Sequence, residues 1–102
     1  MSRVSRRYEP NIEAMRNRVL EGPGVLDVRT RQAIYRGEGP ADLALYLDKV
    51  RNHAYLVTDA EVEALKKSGR SDDEIYEATV AAAMGAGMSR LDAVMRLMDE
   101  EG

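Results

Sequence analysis

The sequence predicts an all-α domain of about five helices, and three observations carry that expectation. A helix-start signature is written twice: Thr58-Asp59-Ala60-Glu61-Val62 recurs as Ser71-Asp72-Asp73-Glu74-Ile75. In each copy a hydroxyl accepts from the backbone three positions on, and a Glu there reaches back to the cap. From residue 41 onward apolar residues return every three or four positions, the period of a helix face. The one β-like run, Tyr55-Leu56-Val57-Thr58, is too short to pair by itself.

Composition fits a small folded domain. The chain has 102 residues, 44% apolar and 32% charged, a balance typical of globular rather than disordered proteins. Phe, Trp and Cys are absent, so Leu, Ile, Val, six Met and five Tyr must fill the core. Such a core is aliphatic and deformable. Lack of Cys removes disulfide and thiol chemistry together. No apolar run approaches the ~18 residues of a membrane span. No apolar stretch follows the basic start, so neither a membrane segment nor a secretory signal is expected, and the default compartment is the cytoplasm.

The elements follow in order. Residues 1–9 read as a flexible basic arm, and 10–102 as a single helical domain. Pro10 suits the first turn of a helix, whose narrow face is Ile12, Met15 and Val19; Gly22-Pro23-Gly24 ends it. Asp27 caps a second helix running to about Arg36, with Gly37 at its end. After the loop Gly37-Glu38-Gly39-Pro40, a third helix from Ala41 to about Tyr55 presents Leu43, Leu47, Val50 and Ala54, with Leu45 and Tyr46 widening the stripe. Val57 before the Thr58 cap and Val62 after it form a hydrophobic staple into the fourth helix, which ends at Gly69.

The last element is the longest. Some 28 helical residues would reach ~42 Å at 1.5 Å each, against a radius of gyration of ~13 Å for a compact chain of this size. Either the helix breaks at 85–89, or it projects and packs on another subunit. Met84, Met88, Leu91, Met95 and Met98 form one face; Ile75, Thr79, Ala82, Ala86, Ala93 and Leu97 form another. Two apolar faces imply burial on two sides, so a homo-oligomer joined through 78–98 is expected.

Net charge is −3, unevenly divided. Residues 1–36 hold eight Arg against four acids, +4; the remainder holds seven bases against fourteen acids, −7. The basic part is expected to lie against the acidic body, its own or a neighbour's. The acidic whole and the lack of a reading motif argue against nucleic acid as a partner.

The run 54–75, followed by Glu77-Ala78-Thr79-Val80-Ala81-Ala82-Ala83, resembles the alkylhydroperoxidase D-like and carboxymuconolactone decarboxylase superfamily. There, too, a helix ends in Gly, a Ser/Thr-Asp-Glu-Glu-Ile-type start follows, and an Ala-rich helix comes next. The resemblance covers 41–98 and implies an AhpD-like helical bundle and oligomerisation. Redox members carry Cys-x-x-Cys-x-x-x-His ahead of that Gly. Here the matching positions are Ala54, Val57 and Glu61. A peroxidase needs a thiolate, and this chain has none, so the resemblance implies a non-redox oligomeric binding protein.

The alternative is thiol-independent acid–base chemistry on a small carboxylate or lactone. His53, the only imidazole, lies beside the vacated thiol position and would be the base. Glu61 stands where the family has its His. Arg51 or Lys49 would hold the carboxylate ligand, with Tyr46 and Tyr55 lining the site. Against this, a His near a helix C-terminus is already favourable through the dipole. Asp42 falls near the family's upstream acid, but also fits an ordinary first-turn acid. Asp72-Asp73-Glu74 and Asp99-Glu100-Glu101 mark a helix start and a tail rather than a metal site. Gly85-x-Gly87 follows no strand and is no phosphate loop. No metal or cofactor is expected.

Overall fold

The computed structural model describes the backbone of residues 3–101 and the side chains of 11–100. Five helices carry the fold: α1 (Arg3–Glu21), α2 (Val28–Tyr35), α3 (Ala44–Asn52), α4 (Asp59–Lys67) and α5 (Asp72–Glu101). Short 3₁₀ turns, Ala41–Leu43 and Ala54–Leu56, flank α3. No strand occurs among the described residues.

Local chemistry sets the helix ends. Both predicted capping boxes form. Thr58 Oγ1 accepts from Glu61 N at 3.3 Å while Glu61 Oε1 accepts from Thr58 N at 3.2 Å. Ser71 and Glu74 repeat the exchange at 3.1 and 2.9 Å. The Asp27 carboxylate accepts from Arg29 N at 2.7 Å, which starts α2 and lowers its pKa. At the other end of α4, Arg70 N bonds the Leu65 carbonyl and Gly69 N the Lys66 carbonyl, both at 3.1 Å. This paired pattern needs a left-handed residue after the cap, and Gly69 supplies it with φ of 117°. Gly37, with φ of 97°, does the same for α2, where Glu38 N bonds Ala33 O and Gly37 N bonds Ile34 O.

Three expectations need correction. The first helix does not wait for Pro10; it begins at Arg3, so the expected arm is helical from that residue, while residues 1 and 2 lie outside the described chain. Pro10 forfeits one backbone bond without ending a helix whose neighbours contain no Gly. The third helix is shorter than 41–55, because His53 leaves the helical region (φ −148°, ψ 52°) and a 3₁₀ turn follows. Leu45 does not widen the buried stripe: it is 86% exposed, whereas Tyr46 is buried.

The core lies where α1, α2 and α3 meet the first half of α5. Ile34, Leu43 and Leu47 are fully buried, packed with Leu20, Leu26, Tyr46, Ile75, Ala78, Ala81 and Ala82. The alanines leave room for the other helices to approach the α5 backbone. Closest is the end of α2: a Cβ built on Gly85 falls on the Tyr35 carbonyl oxygen. The helix does not break at 85–89. It continues as a rod of 30 residues, about 45 Å, which accounts for the 50 Å long axis of the molecule. α1 packs along it. Of the predicted methionine face, Met95 is buried and Met84, Met88 and Leu91 are half-buried, while Met98 is exposed. Of the second face, Ile75 and Ala82 are buried and Thr79 and Ala86 half-buried, while Ala93 and Leu97 are exposed, beyond the reach of the core.

Two long-range contacts lock the helices. The Glu77 carboxylate accepts from Val25 N and Leu26 N, both at 2.8 Å, pinning the α1–α2 loop to α5. Buried Arg31 donates to the Leu26 and Val19 carbonyls at 3.1 and 3.0 Å. Of the described arginines of the basic segment, Arg31 bonds backbone carbonyls, Arg16 pairs with Glu13 and Arg36 with Glu38, while α1 and α2 pack against α5 of the acidic part.

Candidate functional site

The six residues singled out by sequence divide among four separate contacts. Lys49 and Glu61 come together: Lys49 Nζ donates to Glu61 Oε2 at 2.9 Å, bridging α3 to α4. The ammonium, with the Thr58 amide on the other carboxylate oxygen, holds the Glu61 pKa below its ordinary value. An ionised acid with both oxygens engaged is a poor proton acceptor. Tyr46 is buried elsewhere, its hydroxyl 2.7 Å from Thr79 Oγ1. Thr79 donates its one proton to the Ile75 carbonyl at 2.6 Å, so Tyr46 is the donor of the pair. Arg51 turns to α2, donating from Nη2 to the Ile34 and Glu38 carbonyls, both at 2.9 Å. His53 and Tyr55 form an edge-on ring pair, centroids 6.1 Å apart, on exposed backbone; Tyr55 is 82% exposed. Nothing in this arrangement places His53 against Lys49 or Arg51 in a common closed space.

Asp42 is the expected first-turn acid, of the 3₁₀ turn before α3, and it also carries an ion pair. Its two oxygens accept from Nε and Nη2 of Arg70, each at 2.8 Å, while Arg70 Nη1 reaches Glu74 at 3.2 Å. A fork-to-fork pair of this kind is directional as well as charged. It lowers the Asp42 pKa and raises that of Arg70. Glu74 is lowered too, first by the Ser71 amide and then by Arg70. The cluster ties the turn before α3 to the start of α5 and is complete without a ligand.

A cleft of about 380 Å³ opens where the ends of α2 and α3 face α5. It was not legible in the sequence. Arg36 and Gly37 come from the end of α2, Arg51 and Asn52 from the end of α3, Ser89 and Arg90 from α5; its lining carries no acid. Arg90 Nη2 donates to the Arg51 carbonyl at 2.6 Å, so each of two guanidinium groups is held by the carbonyl end of a neighbouring helix. Three arginines spaced 15 and 39 positions apart carry no motif that would have announced them.

Among the described residues no group of three or more His, Asp or Glu side chains could hold a metal ion. No described helix is long and apolar enough to cross a membrane. No family model matches the chain, and neither a curated protein nor a solved structure matches it.

Proposed function

We propose that this chain is a thiol-free binding protein of AhpD-like helical kind that works as a homo-oligomer, its subunits meeting along the outer wall of α5. The carrying observation is that wall itself. At 100° per residue, Tyr76, Val80, Ala83, Gly87, Val94, Leu97 and Met98 share the side of α5 turned away from the core. Tyr76 is 70% exposed and Leu97 61%; Ala83, Gly87, Val94 and Met98 are exposed as well. Arg90 is the only charge amid them. A helix with a finished outer face carries polar residues there.

Two further points support a second copy as the occupant. A folded monomer of this mass is expected to expose about 5,800 Å², and this chain exposes 6898 Å². The surplus, about 1,100 Å², compares with the ~800 Å² each partner gives to a standard interface. Gly87 also lacks an intrachain reason, since a Cβ there meets open space. It lies at the midpoint between Tyr76 and Met98. A two-fold axis beside it would set Tyr76 against Met98 and Val80 against Val94, with two backbones close at the glycine.

Sedimentation velocity over a range of concentrations tests this. The expected result is a dimer or larger species, reduced to monomer by Val94→Glu with Leu97→Glu. A monomer at every concentration overturns the proposal. No observation favours the acid–base alternative, whose base would be exposed His53.

A further inference from the structure

We infer that the cleft between the ends of α2 and α3 and the second half of α5 binds a small oxyanion, a phosphate or carboxylate group, through Arg36, Arg51 and Arg90. The cleft lies within one chain, although Arg90 also borders the wall assigned to subunit contact. Its first support is electrostatic. Three guanidinium groups line the cleft and no carboxylate does. Against them stand two helix C-termini, each worth about half a negative charge, and the Glu38 carboxylate, 3.7 Å from Arg36 in a loose exposed pair. The sum is about one net positive charge in a concave site.

Its second support is geometric. Arg51 and Arg90 are not free-swinging surface side chains. Both N–H groups of Arg51 Nη2 are taken by the Ile34 and Glu38 carbonyls, and Arg90 Nη2 by the Arg51 carbonyl. Their Nε and Nη1 donors have no partner among the described residues. A guanidinium anchored by one nitrogen offers the rest of its planar fork with little ordering cost, and that fork matches the two oxygens of a carboxylate or phosphate. Arg36, exposed on the rim, can close over an anion by leaving Glu38. Asn52 and Ser89 add neutral donors beside the three cations. Helix capping alone accounts for one nitrogen of Arg51 and one of Arg90; it accounts for neither the unused donors nor Arg36.

Amide-resolved NMR titration of the intact protein at low salt is the test, with inorganic phosphate and succinate as separate probes. The expected result is saturable shifts confined to residues 35–37, 51–52 and 85–90. The tighter probe tells whether a phosphoryl or a carboxylate group is preferred. Arg36→Gln with Arg90→Gln should weaken binding about tenfold or more, since each charged hydrogen bond lost carries that scale. Arg96→Gln, outside the cleft, should leave it unchanged. Ser89→Asp places a carboxylate in the cleft through an exposed position and should abolish binding with the fold intact. The inference fails if neither probe saturates, if the double arginine variant responds like the unaltered chain, or if Ser89→Asp has no effect. It also fails if a single-stranded RNA shifts these same cleft residues and phosphate cannot displace it, because the three arginines then serve a polyanion track.

Discussion

Two glycines two residues apart in α5 should respond in opposite directions to the same substitution. Gly→Ala in a helix interior gains about 0.8–1.0 kcal/mol in propensity. At Gly87 nothing opposes that gain, because the added methyl meets open space. At Gly85 the methyl falls on the Tyr35 carbonyl oxygen, a backbone atom at the end of α2 that cannot swing aside as a side chain would. Overpacking of this kind costs about 1–3 kcal/mol, so the net effect at Gly85 is a loss of about 0–2 kcal/mol. The two variants should thus differ by about 1–3 kcal/mol. At about 4–8 °C per kcal/mol for a domain of this size, thermal unfolding at high dilution resolves them easily. Gly87→Ala melts above the unaltered chain, and Gly85→Ala at or below it. If Gly85→Ala were as stabilising as Gly87→Ala, the end of α2 does not lie against α5, and the core and the cleft described above are both misplaced. The same Gly87→Ala protein should show weaker self-association in sedimentation, since a methyl at the proposed axis holds two helices apart.

Glu77→Ala removes the shared acceptor of the Val25 and Leu26 amides and should cost about 1–3 kcal/mol in urea unfolding; a loss too small to measure would mean that water replaces the carboxylate without penalty. Part of the acid sensitivity should trace to Arg70, chiefly through Asp42, because the Ser71 amide is the larger cause at Glu74. The folded pKa values of Asp42 and Glu74 lie below their ordinary 3.8 and 4.5. Their stabilisation is therefore full above those ordinary values and is lost as pH falls through the depressed folded ones. Arg70→Gln should lower stability at neutral pH and flatten its decline in acid, measured by unfolding from pH 7 to 2; an unchanged acid limb would remove Arg70 as the cause.

Bonds within a turn or two of chain were readable from residue type. The Thr58 and Ser71 boxes, the Asp27 cap and the glycine ends at 37 and 69 all formed, because each needs only the helix period and one suitable side chain. The candidate site was far less legible. Lys49 meets Glu61 across 12 positions, but Tyr46 bonds Thr79 across 33, Asp42 meets Arg70 across 28, and Arg90 reaches Arg51 across 39. Those partners depend on how helices cross, and residue type alone does not set a crossing angle. Arg51 illustrates the difference: its charge suggested an anion holder, while packing delivered one of its nitrogens to the carbonyl end of α2.

The amino-acid order alone thus determined that the chain is helical, where most helices begin and end, and that no thiol chemistry is open to it, since these follow from local hydrogen bonding and from which side chains exist. Tertiary structure decided that α5 runs unbroken through its glycines, that its outer wall is left bare, and that three distant arginines share one cleft. These are consequences of which surfaces the packed core covers and which it leaves to water, and that is settled only when α1, α2 and α3 close on the alanine face of α5.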